Sequence, residues 1–351
     1  MILHPAIIAL IGGSLLICII TIYSSLIGIQ ILRWWDIMSG SEMQLQLERK
    51  TYLISTALSA VLSFEVLSLF LFIYTADNLH VLFTGAMCAA GTLDANSYGY
   101  PTLIIKTVNC LLCGLWLIVN FTDNLGYDYP LIRKKYSFLL FITILIIIET
   151  VLQCLYFFNL QGDVITSCCG TLFSADTRGG VVSDLVALPP KIAMTAFFVT
   201  GLLTLGTGLY YLMAQKKAWL FSMFSLIFMC IAIVSILSFI SLYFYELPTH
   251  HCPFCILQKQ YLYVGYPLYV FLFGGTITGL GVGILSFFKS LPSLVNIIPS
   301  IQRKLAIYTL IFYGLFLGIS VYPMVVSDFK LTMLKPALFI RLAYIHNVYA
   351  I

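Results

Sequence analysis

Residues 246–263 read ELPTHHCPFCILQKQYLY, and the reactive side chains of this stretch are its two cysteines, two histidines and one lysine. Cys252 and Cys255 are spaced so that two sulfurs meet within one turn. One thiol of such a pair often has a depressed pKa, most of all at a helix N-terminus. An apolar run follows at once, so the motif is expected to open a membrane helix whose positive end favours a thiolate. Lys259 then falls four residues after Cys255 and seven after Cys252, on one helical face. There its ammonium would stabilise a thiolate or a reduced anionic acceptor, and Pro253 would stiffen the turn. Three chemistries stay open at this point. One is dithiol redox, and another is a zinc or copper site using Cys252, Cys255 and His250 or His251. The third is a structural role for the thiols.

The chain holds ten cysteines. Cys88, Cys168, Cys169, Cys252 and Cys255 fall in or beside loops, whereas Cys18, Cys110, Cys113, Cys154 and Cys230 fall in apolar segments. Neighbouring alpha carbons are about 3.8 Å apart, and a disulfide spans about 4.4–6.8 Å. Cys168 or Cys169 is therefore expected to pair with Cys88 rather than with its neighbour. Such a bridge is either static or a shuttle exchanging with Cys252 and Cys255. Cys110-Leu-Leu-Cys113 repeats the spacing within a span and reads as packing, with a thiol relay inside the membrane as the alternative. Glu65 and Glu149 sit near the middle of apolar segments, where a carboxylate is costly and marks a functional candidate. They are either a proton relay to a redox site or hydrogen-bonding groups between helices, with Asn109 and Asn120 as suitable partners.

What positions these residues is a membrane. The chain is 61% hydrophobic and only 9% charged, against about 25% charged residues in soluble domains. The expected fold class is all-α: one integral membrane domain over 1–351, a polytopic bundle of about eight transmembrane helices. The spans are expected near 6–32, 51–75, 101–122, 137–159, 191–213, 218–244, 256–288 and 304–326, each long enough to cross a bilayer. The first lacks the basic start and cleavage site of a signal peptide and reads as a retained helix. Alternate connections carry Arg33, Arg49, Lys50, Arg133, Lys134, Lys135, Lys216, Lys217, Lys289, Arg303 and Lys304. The positive-inside rule puts that side in the cytoplasm, with both termini outside. Loops 76–100, 160–190 and 245–255 then face outward, into the periplasm if this is a bacterial inner membrane, where dithiol chemistry is permitted. The apolar tail after 326 reads as an interfacial helix, a ninth span or a docking segment. A net charge of +4 without a basic run interleaved with aromatics gives no sign of a nucleic-acid partner. The chain also lacks CxxCH for covalent haem and GxxxxGK[ST] for nucleotide phosphates.

The stretch HCPFCILQKQYLYVGYPLYVFLF resembles the quinone-coupled motif of the bacterial disulfide-bond formation protein B family, whose chemistry vitamin K epoxide reductase-like proteins share. The resemblance covers about 25 residues. It implies that Cys252 and Cys255 pass electrons to a membrane quinone, ubiquinone or menaquinone, and that a second cysteine pair on another loop exchanges with a soluble thioredoxin-like periplasmic protein. Cys88 with Cys168 or Cys169 is the candidate for that pair. Lys259 stands where the family usually has arginine. Gln258, with His251, is a further candidate contact to the acceptor. The family is a four-helix bundle, half the span number expected here, and its second pair follows the first in the chain rather than preceding it. Two other functions remain: a metal- or haem-handling membrane protein, or a non-catalytic anchor subunit of a respiratory or assembly complex.

Overall fold

The computed structural model describes residues 4–161, 190–248 and 250–329. Among them are eight helices long and apolar enough to cross a membrane, and no strand. They are α1 Pro5–Trp34, α2 Glu42–Leu79, α3 Gly99–Asn124, α4 Ile132–Phe158, α5 Pro190–Ala214, α6 Ala218–Tyr245, α7 Gly265–Ser286 and α8 Ile297–Val326. The all-α, multi-pass architecture expected from composition is therefore observed.

Two boundaries differ from expectation for physical reasons. α2 begins nine residues early, because the Ser41 hydroxyl accepts from Gln44 N (3.3 Å) and the polar turns after it continue the helix. α7 begins at Gly265, nine residues late. Gln258 is extended, and Leu262 and Tyr263 take left-handed φ values of 54° and 56°. Those backbones cannot belong to an α-helix.

The eight helices form two four-helix bundles of the same connectivity. In the first, α1 packs on α2 and α4, and α3 packs on the same two. In the second, α5 packs on α6 and α8, and α7 packs on the same two. The bundles meet mainly along α3 and α7. There Ile277 fills the space beside Gly114, and Ile118 fills that beside Gly281; a Cβ on either glycine would stand 2.7 Å from the facing isoleucine. The paired contacts advance four residues along both helices, so α3 and α7 run parallel. Apolar attraction is weak between helices in lipid, so small residues that allow close packing and interhelical hydrogen bonds carry association. α7 supplies Gly275, Gly279 and Gly283, which meet Tyr313, Ser225 and Ser222.

Polar groups inside the second bundle are neutral, such as Tyr313 with Ser225 (2.7 Å) and Tyr211 with Gln302 (3.0 Å). The first bundle buries charge. Lys135, expected at the cytoplasmic surface, is instead fully buried with its Nζ 2.6 Å from Asp123 Oδ2. It also donates to Asn120 Oδ1 (3.1 Å). Of the other ten cations of that set, Lys216, Lys217 and Lys289 lie in connections, and Arg33, Arg49, Lys50, Arg133, Lys134, Arg303 and Lys304 lie within α1, α2, α4 and α8, toward the helix ends away from Cys252.

Candidate thiol site

Two equivalent loops meet at one end of the α3–α7 contact. In the first bundle the α2–α3 connection carries Cys88, in extended conformation just before a short helix Ala89–Leu93. Asp77, near the end of α2, anchors that loop by accepting from Ala89 N (3.1 Å). In the second bundle the α6–α7 connection carries the CxxC. Glu246, at φ 55°, turns the chain out of α6. Tyr245 at the last turn of α6 then holds the motif, its hydroxyl donating to Cys252 O (2.6 Å) and accepting from Ile256 N (2.9 Å). Tyr269 of α7 donates to Pro253 O (2.8 Å). Gln258 stitches the two loops, since its Nε2 donates to Met87 O (2.7 Å) and lies 3.3 Å from Asp77 Oδ1.

The result is a cluster of three sulfurs. Those of Cys88, Cys252 and Cys255 all lie within 4.8 Å of one another, and Cys88 Sγ is 3.5 Å from Cys252 Sγ. None of the three residues is more than 3% exposed. His250 Nε2 is 3.3 Å from Cys255 Sγ, and its ring stands edge-on to Tyr245. His251 turns away, with Nδ1 2.8 Å from Leu237 O. A carbonyl only accepts, so Nδ1 carries the proton. Leu237 lies in a π turn over Ile236–Ile240, an irregularity frequent at functional sites. Beside the cluster a cavity of about 620 Å³ is lined by His250, Cys255, Gln258, Lys259, Tyr261 and Tyr266, among others. Of the three cysteines, Cys255 lines it and Cys252 and Cys88 do not. Burial, and to a smaller degree the nearby Cys255, push the Tyr261 phenol above its usual range, so it stays a hydroxyl donor at neutral pH.

Several expectations change. Cys252 and Cys255 do not open a helix: Cys255–Leu257 and Lys259–Tyr261 are separate 3₁₀ turns with extended Gln258 between them. The helix-end stabilisation of a thiolate and the shared helical face with Lys259 are thereby lost. Lys259 and Cys255 instead share the lining of the cavity. Gln258 has its amide committed, because Oε1 also accepts from Gln260 Nε2 (3.0 Å). It clamps the two loops and also lines the cavity. His251 does not line the cavity. Cys168 and Cys169 lie outside the described residues.

Glu65 and Glu149 come together in the centre of the first bundle, each no more than 2% exposed. Between them stands Lys106, whose Nζ is 2.5 Å from Glu149 Oε1 and 3.8 Å from Glu65 Oε1, and which donates to Ser68 Oγ (3.0 Å). Asn109 Nδ2 donates to Glu149 Oε2 (2.5 Å), as expected of that asparagine. Asn120 instead bonds Ser55 and Ser59. Glu65 precedes Asp77 by twelve helical residues, about 18 Å along the axis at 1.5 Å each. Buried Leu69, Phe72, Ile73 and Ala76 occupy that interval. Cys110 and Cys113 are both fully buried in the same bundle.

Sequence reading passed over Lys106, Asp77, Tyr245 and Tyr269. Lys106 had a signal, a lone charge three residues ahead of Asn109 in an apolar span. The tyrosines had none, since their roles depend on loops that fold back onto helix ends. No protein-family model, no curated protein and no solved structure matches this chain, so the meaning of the site rests on its own geometry.

Proposed function

We propose that the protein is a membrane thiol–disulfide oxidoreductase that moves electrons between an external dithiol and a membrane quinone through Cys252 and Cys255. The observation that carries this reading is the third sulfur, Cys88, held 3.5 Å from Cys252 by a different loop. Thiol exchange needs a thiolate within reach of one sulfur of a disulfide. Starting from a Cys252–Cys255 disulfide, a Cys88 thiolate attacks Cys252 Sγ. The Cys88–Cys252 bond forms, the Cys252–Cys255 bond breaks, and Cys255 leaves as a thiolate beside His250. That step is electron-neutral. Oxidising Cys252 and Cys255 from dithiol to disulfide releases two electrons and two protons, and a quinone is the acceptor that takes both.

The cavity suits such an acceptor. Its volume of about 620 Å³ falls in the usual range of about 300–1,000 Å³ for small-molecule sites. Its lining brings together Tyr261, Tyr266, Lys259 and Cys255. The resemblance of the CxxCxxxK segment to the disulfide-bond formation protein B family points the same way, as does the expected outward orientation in a bacterial inner membrane. A soluble thioredoxin-like protein would be the thiol partner.

Purified protein should oxidise a reduced thioredoxin-like substrate in the presence of ubiquinone or menaquinone. Cys255→Ser should abolish turnover, and Lys259→Ala should raise the KM for quinone. Full turnover in Cys255→Ser would end this reading.

A further inference from the structure

We infer that the reduced form of this site binds Zn²⁺ through Cys88, Cys252, Cys255 and His250. Zinc in closed sites is tetrahedral, with Zn–S about 2.3 Å and Zn–N about 2.0–2.1 Å. Tetrahedral angles then require ligand sulfurs about 3.8 Å apart and a sulfur and nitrogen about 3.5 Å apart. The site has Cys88 and Cys252 sulfurs at 3.5 Å, and His250 Nε2 and Cys255 Sγ at 3.3 Å. Those two pairs need shifts of only a few tenths of an ångström; the three sulfurs already lie within 4.8 Å of one another, and His250, which meets Cys255, has to swing further toward Cys88 and Cys252 to complete the tetrahedron. The donor set of three soft thiolates and one imidazole is one that zinc takes in structural sites.

His250 is the histidine of the set. Its ring nitrogen already meets a sulfur, and the Tyr245 ring supports it edge-on with centroids 4.6 Å apart. His251 spends its Nδ1 proton on Leu237 O. Tyr245 also braces the ligand loop through Cys252 O and Ile256 N, the kind of support that orients metal ligands. The ligands come from both bundles, so the ion ties the loop before α3 to the loop before α7. Binding deprotonates the three thiols and releases their protons, so affinity falls as pH falls. What the metal does there rests on the oxidoreductase reading: three sulfurs held as ligands cannot form a disulfide, so Zn²⁺ arrests electron transfer in the reduced state.

Cobalt provides the test. Full-length protein in detergent, reduced and metal-free, is titrated with Co²⁺ and then with Zn²⁺. One equivalent of Co²⁺ should give thiolate-to-cobalt charge-transfer absorption and tetrahedral visible bands, and Zn²⁺ should displace it. Cys88→Ser and His250→Ala should each weaken Zn²⁺ by more than about tenfold, whereas Cys110→Ser, outside the site, should not. Gel filtration and helicity of each variant show that it is folded, and His250→Ala substitutes for Cys88→Ser if the latter is not. Absence of the charge-transfer band, the same band in Cys88→Ser and His250→Ala, or binding of Cu(I) alone would overturn the inference. Zinc binding without quinone-dependent turnover retains the metal site and removes the oxidoreductase reading. Turnover that Zn²⁺ neither inhibits nor binds does the reverse.

Discussion

Tyr245 shows how much one hydroxyl can organise. It bridges Cys252 O and Ile256 N, so Tyr245→Phe leaves two buried backbone groups without that partner. The expected cost is about 1–3 kcal/mol, read as a lower thermal midpoint in detergent together with slower thiol exchange. Lys106 is the second residue whose loss should be felt. Lys106→Met strands the Glu149 charge in the bilayer, where breaking one side of a buried pair costs about 3–5 kcal/mol. The double variant Lys106→Met, Glu149→Gln should recover most of that stability, and unfolding titrations of both would show it. At this scale the sequence disclosed the reactive atoms but not their company. Cys252, Cys255 and Glu149 were legible from type and position. The partners Cys88, Tyr245 and Lys106 come from 164, 7 and 43 residues away respectively, and two of those separations are beyond any local pattern.

Among the elements, α7 is the one on which both packing and site depend. Its glycines are not equivalent to glycines elsewhere. A Cβ at Gly279 would collide with Ser225 Oγ and stand 2.8 Å from Ser225 Cβ and 3.2 Å from Thr309 Cγ2, whereas one at Gly206 meets nothing within 4 Å. Gly279→Leu should therefore destabilise by about 1–3 kcal/mol through overpacking. Gly206→Ala should be neutral or stabilising by about 0.5–1 kcal/mol through helix propensity. Parallel melting curves distinguish the two. Hydropathy located all eight spans, because length and apolarity decide membrane crossing before any tertiary contact forms. It misplaced the start of α7, because residues 256–264 are apolar enough to pass for helix while their backbone turns at Gln258, Leu262 and Tyr263.

At the scale of the whole molecule, the described residues form two like bundles whose corresponding loops meet at the sulfurs. In a chain retaining only Cys88 and Cys252, mild oxidation should join them and shift gel mobility. Gly114→Leu, which forces α3 from α7, should lower the yield of that crosslink. The positive-inside reading gives a further outcome: a single cysteine placed at Asp36 should react with impermeant maleimide only from the cytoplasmic side, and one at Leu262 only from the other. Swapped sides would invert the orientation, and reaction of both from one side would dismiss it.

By itself, the sequence determined that the chain is a membrane bundle of about eight long helices and that its most reactive residues cluster before the seventh. Hydrophobic length and residue chemistry are local properties, so both survive without a structure. Only the tertiary structure decided that Cys88 joins Cys252 and Cys255, that His250 rather than His251 meets a sulfur, and that Lys106 sits with the two buried glutamates. Each depends on the parallel seating of α3 against α7 or on helices crossing within the first bundle. Those arrangements are set by which small residues let two backbones approach, and apolar periodicity in a lipid-facing helix does not record that choice.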